Sequence, residues 1–274
     1  MYDFNGIEPV CPFDVSQYYA SADYNTATGR IDVKKLLSEV DALYEVNRLE
    51  EAEALLEDSF RKADQLSDHE GKLGILNELL GCYRKTHKKE AAFWAVNESQ
   101  RLLTALGMDN TVTSGTVRLN AATTLREFGE AEKALELYVA SARVFSNHLD
   151  PNDYRFATLY NNYAACLETC GDVESAEKYY LKAIAVLKRL PECKIEEAVT
   201  YVNLACLYGE LDPEDSRIEK YLFFAKDIFD DEHVKRDGYY AFNVLKCVSA
   251  YDHYGFFRDA AELKKRAEKI YGLL

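Results

Sequence analysis

The cysteines and histidines are the residues with the widest chemical range in this chain, and their spacing limits what they can do. Cys166 and Cys170 lie one helical turn apart and could share a soft metal ion. No histidine lies near them in sequence, and Cys82 falls at the place of Cys166 in the repeat described below. That place faces between helices, where a small apolar side chain fits. The pattern therefore favours buried structural thiols and predicts no metal site.

The other polar motifs predict no catalysis. The five histidines are spread along the chain without an H-E-x-x-H arrangement: His69, His87, His148, His233 and His253. The signatures G-x-S-x-G, G-x-G-x-x-G and G-x-x-x-x-G-K-[ST] are absent. The acidic run "DDE" at 230–232 stands in an apparent loop, as solvated charge usually does. We expect no enzyme activity, no catalytic residue and no cofactor.

The net charge of the chain limits the classes of partner that it can bind. The chain has 274 residues, and 33 basic against 47 acidic side chains give a net charge of −14. Nucleic-acid backbones and anionic membranes repel such a surface, and no long basic run offsets it. Nucleic acid and membrane are therefore not expected as partners.

The termini and the cysteine count bear on the compartment. Seven cysteines, an odd number without C-x-x-C, are typical of reduced thiols in a cytosolic protein. The opening "MYDFNGIEPVCPFD" lacks the basic and apolar regions of a signal peptide. No apolar stretch approaches the roughly 18 residues of a membrane span. A soluble, cytoplasmic protein is expected.

One pattern recurs along most of the chain. "LNAATTLREFGEAEKALELY" at 119–138 returns 42 positions later as "NNYAACLETCGDVESAEKYY" at 161–180. The turn glycines Gly129 and Gly171 coincide, and the same step backward reaches His87 and then, after 40 residues, Asn47. Six copies cover about residues 33–274, although the fifth carries "GELDPEDSR" in its turn. The pattern predicts units that repeat because each packs on the next.

Each copy reads as two amphipathic helices joined by a tight turn. Leu159, Tyr163 and Leu167 follow a helical period before Gly171, and another such stripe follows it. Glycine at the turn can take the positive φ that ends a helix. Recurrent alanines allow helices to cross closely, and recurrent tyrosines such as Tyr138 and Tyr180 fill the space to the next pair.

These residues resemble the tetratricopeptide repeat. "NAATTLREFGEAEKALELY" and "NYAACLETCGDVESAEKYYLKA" meet that family's order of small residue, Tyr or Leu, Gly, Ala, Tyr and Ala. The period near 42, longer than the usual 34 or so, and "TLYNNYAACLETCG" look like the repeats of kinesin light chains and their bacterial relatives. The resemblance implies an all-α, right-handed solenoid of about six helix pairs over residues 31–274. Residues 1–30 do not fit the repeat, and we expect them to form a separate N-terminal segment.

The resemblance also implies a peptide-binding groove lined by the first helix of each pair. Carried onto this numbering, the groove positions include Leu37, Asp41, Tyr44, Glu45, Asn77, Gly81, Arg84, Lys85, Leu119, Thr123, Arg126, Glu127, Asn161, Ala165, Glu168 and Thr169. We expect Tyr44, Asn77, Arg84, Lys85, Thr123, Arg126, Asn161 and Glu168 to form the binding site. Arg84, Lys85 and Arg126 place positive charge there, which predicts an extended acidic ligand.

Several alternatives stay open at this stage. Asn120, Asn162 and Asn203 either grip a peptide backbone or bond their own scaffold. Trp94 is either a partner anchor or a partly covered helix residue. The acidic, aromatic segment 1–30 either caps the first pair or occupies the groove.

The favoured function is a non-catalytic adaptor that binds a protein or peptide. The alternatives are a structural or self-assembling scaffold, with its groove filled by its own segment or by another copy, and a sensor of a signalling peptide. The oligomeric state is left open.

Overall fold

The structure is a computed structural model that describes residues 29–272. In that range it contains twelve α-helices and no strand, which confirms the predicted all-α class. The helices are α1 (Val33–Glu45), α2 (Leu49–Gln65), α3 (His69–Lys85), α4 (Lys89–Ala105), α5 (Val112–Glu127), α6 (Ala131–His148), α7 (Tyr154–Thr169), α8 (Val173–Leu187), α9 (Lys194–Leu211), α10 (Ser216–Asp230), α11 (Gly238–His253) and α12 (Phe257–Ile270). A short 3-10 turn, Pro191–Cys193, precedes α9.

The chain divides into two compact units, Met1–Leu149 and Asp150–Leu274, called unit 1 and unit 2. Unit 1 contains the hairpins α1–α2, α3–α4 and α5–α6, and unit 2 contains α7–α8, α9–α10 and α11–α12. Within unit 1, the first helix α3 contacts both α1 and α5. Within unit 2, α9 contacts α7 and α11 in the same way. Each unit is thus a stack of helix hairpins, as in a solenoid.

The turns inside the hairpins confirm the predicted repeat register. Gly129, Gly171 and Gly255 have φ between 79° and 87°. His87 and Asn47 stand where the repeat calls for glycine, and each has φ 55°. Asparagine and histidine tolerate this left-handed region better than most residues. The fifth turn differs: Asp212 is extended, and Asp215 caps α10 by accepting from the backbone N of Arg217 at 2.8 Å.

Alanines and tyrosines fill the hairpin interfaces as the pattern predicts. The repeat alanines Ala92, Ala134 and Ala176 are fully buried. Tyr138 and Tyr180 have exposed fractions of 0% and 1%. A Cβ methyl at the crossing lets two helices approach closely, and the large ring then closes the space to the next hairpin.

The exposed fractions of Trp94 and the cysteines bear on their predicted roles: a partner-anchor role for Trp94 stays a prediction, and Cys170 departs from the predicted burial. Trp94 is 45% exposed and packs edge-on against Phe60, with ring centroids 5.4 Å apart. Cys82 and Cys166 are fully buried, as expected, whereas Cys170 is exposed. In the described part of the chain, no three His, Cys, Asp or Glu side chains come close enough to hold a metal ion.

The predicted segment 1–30 lies almost entirely outside the described residues, so its role as cap or groove occupant stays a prediction. The described chain begins beside α3: the backbone N of Ile31 donates to Asp68 Oδ2 at 2.9 Å, and Arg30 pairs with Glu70 at 3.3 Å. None of the helices in residues 29–272 is long and apolar enough to cross a membrane.

Candidate functional site

All three predicted groove cations lie at the ends of two neighbouring helices in unit 1. Arg84 and Lys85 occupy the last turn of α3, and Arg126 occupies the last turn of α5. A helix C-terminus carries partial negative charge and favours cations. We name this region the α3–α5 surface and define it by Asn77, Asn120, Thr124 and Glu127 together with these three cations.

An asparagine pair joins α3 to α5 at this surface. Asn120 Nδ2 donates to Asn77 Oδ1 at 2.8 Å. Asn77 in turn donates to Glu78 Oε1 at 3.2 Å and is only 3% exposed. Asn120 therefore bonds its own scaffold, and a ligand contact at Asn77 would require its neighbours to move. The predicted binding role of Asn77 stays a prediction.

Arg84 also ties the two helices together. Its Nη1 donates to Thr124 Oγ1 at 2.9 Å and to the carbonyl O of Asn120 at 3.4 Å. Its Nε lies 3.3 Å from Glu127 Oε2. The Arg84 side chain is 22% exposed.

Arg126 makes fewer and longer contacts with its neighbours than Arg84 does. Its Nη2 lies 3.9 Å from Glu127 Oε1, and its side chain is 24% exposed. Its Nε is buried and has no hydrogen-bond partner within the described part of the chain. A buried N–H without a partner costs free energy that a ligand acceptor would recover. Arg126 is therefore the cation of this surface with donors left to offer.

Tyr44 and Lys85 meet at the edge of the same unit. Lys85 Nζ lies 5.1 Å above the centroid of the Tyr44 ring, within cation–π range. Burial, followed by the neighbouring Cys82 thiol, raises the pKa of Tyr44. Burial likewise raises the pKa of Cys82 to about 11, so its thiol stays protonated at neutral pH.

Thr123 faces the interior of the α5–α6 hairpin. Its Oγ1 donates to the carbonyl O of Leu119 at 3.0 Å and lies 3.2 Å from Tyr138 Oη. The residue is 9% exposed. Its predicted contact with a ligand stays a prediction and would require these partners to separate.

The two predicted residues of unit 2, Asn161 and Glu168, lie on α7. Asn203 Nδ2 donates to Asn161 Oδ1 at 3.2 Å, which links α9 to α7. Tyr180 Oη donates to Glu168 Oε2 at 2.7 Å. Asn203 thus bonds the scaffold as Asn120 does, whereas the structure does not test whether Asn161 and Glu168 contact a ligand.

The amino-acid sequence alone did not predict two features of unit 2. Tyr239 Oη donates to Glu196 Oε1 at 2.7 Å, and the other carboxylate oxygen of Glu196 is buried with no hydrogen-bond partner among the residues that the structure describes. Burial raises the pKa of Glu196, although the bond from Tyr239 opposes the rise. The Tyr254 ring also lies against Gly209, and its Oη donates to the carbonyl O of Cys206 at 3.3 Å. The sequence signal that could have predicted the contact is the 43-residue spacing of Glu196 and Tyr239, which is close to one repeat.

Comparison with known proteins supports the repeat assignment. A family model of the tetratricopeptide repeat matches residues 155–217. No curated protein matches the chain.

Solved structures extend the similarity of fold to most of the chain. BtubC (BKLC) from P. vanneervenii is 20% identical with a TM-score of 0.60, covering 82% of this chain and 91% of that one. The nearly identical repeats of a Podosopora anserina chain assigned to kinesin light chains are 15% identical with a TM-score of 0.53, covering 72% and 93%. A Rap protein complexed with Competence and Sporulation Factor is 13% identical with a TM-score of 0.57, covering 90% and 77%. Residues 155–217 thus match the tetratricopeptide repeat, and the fold of most of the chain is similar to that of solved repeat proteins of the kinesin-light-chain kind.

Proposed function

We propose that this chain is a non-catalytic adaptor that binds an extended acidic segment of a protein partner at the α3–α5 surface. The observation that carries the proposal is that the Arg126 Nε is buried without a hydrogen-bond partner among residues 29–272, and that the ion-pair contact of Arg126 with Glu127 is 3.9 Å long. A carboxylate from the ligand would satisfy these donors in bidentate geometry.

The neighbouring groups suit the same ligand. Arg84 and Lys85 add two cations within one helical turn of α3. Asn120 uses one amide N–H on Asn77 and is partly exposed, so its amide oxygen can accept from a peptide backbone. Sequence-tolerant backbone contacts from Asn120 and charge recognition by Arg126 together fit an extended acidic segment.

Two further observations favour binding over catalysis. Burial raises the pKa of both Cys82 and Cys206 to about 11, which keeps these thiols in the unreactive protonated form. One of the similar folds, the Rap protein, was solved in complex with Competence and Sporulation Factor. A repeat fold of this kind can therefore bind another molecule, and binding alone would account for the function that we propose.

The test uses a fluorescein-labelled synthetic peptide of about twelve residues, rich in Asp and Glu, with the full chain. Arg126→Gln should weaken binding by about 1–3 kcal/mol, since a charge-assisted pair is lost. The matched control is Arg143→Gln on α6, an exposed arginine of the same unit. Binding should also fall as salt rises, because the contacts are partly exposed.

Fluorescence anisotropy at two salt concentrations measures both effects. If Arg126→Gln and Arg143→Gln bind the peptide equally well, the α3–α5 surface is not the site. A peptide with Lys in place of each acid should not bind, and equal binding of that peptide would show that charge does not select the ligand.

A further inference from the structure

A second exposed surface lies in unit 2, on the second helices α8 and α10. The sequence repeats there as "KYYL" at 178–181 and "KYLF" at 220–223, which are 42 residues apart. Both helices thus place a lysine, Lys178 or Lys220, three residues before an apolar side chain, Leu181 or Phe223. Residues three apart on a helix are neighbours, so each pair forms one local patch.

The apolar members of these patches are unusually exposed. Leu181 is 41%, Phe223 is 64% and Phe224 is 37% exposed. Phe223 and Phe224 lie side by side, with ring centroids 6.5 Å apart. Two exposed phenylalanines on one helix are more than hairpin packing requires, because the buried face of α10 is formed by other residues, among them Leu222 and Ala225.

The two helices form one continuous surface through side chains of α9. The Tyr208 hydroxyl donates to Glu177 of α8 at 2.7 Å, and the Tyr208 ring stacks on Tyr221 of α10 with centroids 5.6 Å apart. Farther along, Lys188 Nζ lies 5.8 Å from the centroid of Tyr201, which lies 5.4 Å from that of Phe224. These links hold the outer faces of α8 and α10 beside each other.

The charges on α8 indicate the kind of partner. Lys178, Lys182 and Lys188 are exposed, and no carboxylate among the described residues lies within ion-pair distance of them. Lys182 is held over Tyr160 and Tyr179 at 5.5 and 4.6 Å, which fixes its position at the surface. The three lysines lie on the same side of α8 as Leu181.

Acidic side chains on the same helices do not cancel these lysines. Glu174 and Glu219 stand in the first turns of α8 and α10, where the helix terminus itself favours a carboxylate. Glu177 accepts the Tyr208 hydroxyl. Asp227 lies on α10, on the aromatic side of the surface. The exposed lysines of this surface therefore lie along α8 and at Lys220 of α10, and the larger exposed apolar area lies along α10.

We propose that the α8–α10 surface, formed by Lys178, Leu181, Lys182, Lys188, Phe223 and Phe224, docks an acidic amphipathic segment of a partner protein. Acidic side chains of the partner meet the lysines of α8, and its apolar side chains cover the phenylalanines of α10. This surface is separate from the α3–α5 surface and does not depend on ligand binding there.

Unit 1 supplies an internal comparison. The corresponding stretch of α6 is "ELYV" at 136–139, with Glu136 in place of the lysine and Val139 44% exposed. The repeat architecture alone therefore accounts for an exposed apolar residue at this position, but not for the lysines. Val139→Ser is the matched control for Phe223→Ser because both remove an exposed apolar side chain at the same repeat position.

The probe is a fluorescein-labelled synthetic amphipathic peptide of about 18 residues built from Glu and Leu, and its counterpart carries Lys in place of Glu. The acidic peptide should bind the full chain and protect amides of α8 and α10 from hydrogen exchange. The double charge reversal Lys178→Glu/Lys182→Glu, and separately Phe223→Ser, should each weaken binding about tenfold or more, as loss of an interface anchor does. Lys265→Glu/Lys269→Glu on α12 and Val139→Ser should change it less than about twofold.

Arg126→Gln separates this surface from the α3–α5 surface, since it should leave protection of α8 and α10 intact. The proposal is overturned if the variants and controls bind alike, or if protection appears only on α3 and α5. It is also overturned if sedimentation shows a dimer that Phe223→Ser converts to monomer, because the occupant would then be a second copy of this chain. Equal binding of the Lys peptide would likewise exclude an acidic partner.

Discussion

In both units, an asparagine–asparagine hydrogen bond joins the first helices of two neighbouring hairpins. The charged side chains around that bond differ between the units. Asn120 donates to Asn77 in unit 1, and Asn203 donates to Asn161 in unit 2. Beside the first pair lie Arg84 and Arg126, whereas the first helices of unit 2 carry Glu168 and Glu196. The asparagine pair is therefore part of the repeat scaffold, and the charged neighbours are what can distinguish one ligand from another.

The units also differ in the contacts through which the first helices of neighbouring hairpins pack on each other. In unit 1, Arg84 bridges α3 and α5 through polar contacts with Thr124 and Glu127. In unit 2, the hydroxyl of Tyr254, the residue that follows α11, donates to a backbone carbonyl of α9, and its ring covers Gly209. A polar bridge leaves charge at the surface of unit 1, while an aromatic contact fills the corresponding interface in unit 2.

The largest expected effect on stability comes from a substitution that disrupts the contact between Tyr254 and Gly209. A Cβ at Gly209 would lie 2.1 Å from Tyr254 Oη and 2.4 Å from Cε1, so Gly209→Ala must expel the ring. We expect a loss of about 2 kcal/mol of unfolding free energy, in the range of overpacking substitutions. Thermal and urea denaturation of the full chain measure it.

Two variants make that result specific. Gly81→Ala on α3 is the matched control, because the nearest atom to its new Cβ is Arg84 Nη2 at 3.9 Å. It should be neutral or stabilising by up to about 1 kcal/mol, since alanine favours a helix interior. In a Tyr254→Ala background, the cost of Gly209→Ala should vanish, and a cost that persists would show that the ring is not its cause.

The second prediction compares the asparagine pairs directly. Asn120→Ala leaves the amide oxygen of the buried Asn77 without its donor, which should cost about 1–2 kcal/mol. Asn203→Ala leaves Asn161, which is partly exposed, and water can replace the lost donor. We therefore expect about half that cost or less in unit 2. Equal losses in the two variants would show that burial of the acceptor does not control the strength of the pair.

The repeat was predictable from sequence because its packing depends on few residue types. Gly129, Gly171 and the recurrent alanines and tyrosines identified the hairpins, and His87 and Asn47, which stand in place of glycine, also adopt a left-handed turn. These positions are constrained by local backbone geometry and close helix contact, which a fixed period reveals.

The chemistry of the candidate site was only partly predictable. Sequence spacing placed Arg84 and Arg126 on neighbouring first helices, but it did not show that Glu127 lies near both. It also could not show that Asn77 is buried or that Glu196 meets Tyr239. Rotamers and contacts between repeats decide these features, and a pattern of residue types does not specify them.

The third prediction concerns pH and unit 2. Burial raises the pKa of Glu196 from an ordinary value of 4.5, so the folded chain holds this proton more tightly than the unfolded chain. Its contribution to stability is then full below about pH 4.5 and is lost as pH rises through the folded-state pKa. Glu196→Gln should remove that dependence and be more stable than the parent at neutral pH, on the order of 1 kcal/mol.

Chemical denaturation between about pH 4 and pH 8 measures the difference between the two curves. Tyr239→Phe is the informative companion, because it removes the hydrogen bond that lowers the pKa of Glu196. The pH-dependent loss should then extend to higher pH. A Glu196→Gln variant whose stability follows the parent at every pH would rule out a shifted carboxyl at this position.

The smallest expected change in stability is at Glu127, and it bears most directly on the charge difference between the units. Glu127 lies 3.3 Å from Arg84 and 3.9 Å from Arg126, and its side chain is 42% exposed. Glu127→Gln should cost less than about 0.5 kcal/mol, as partly exposed ion pairs contribute little. It should nevertheless tighten binding of the acidic peptide severalfold, because Glu127 competes with ligand carboxylates for both arginines. Anisotropy titrations at low and high salt, with Glu132→Gln on α6 as the control, measure the change. If Glu127→Gln weakens binding instead, Glu127 holds the arginines in place for the ligand rather than competing with it.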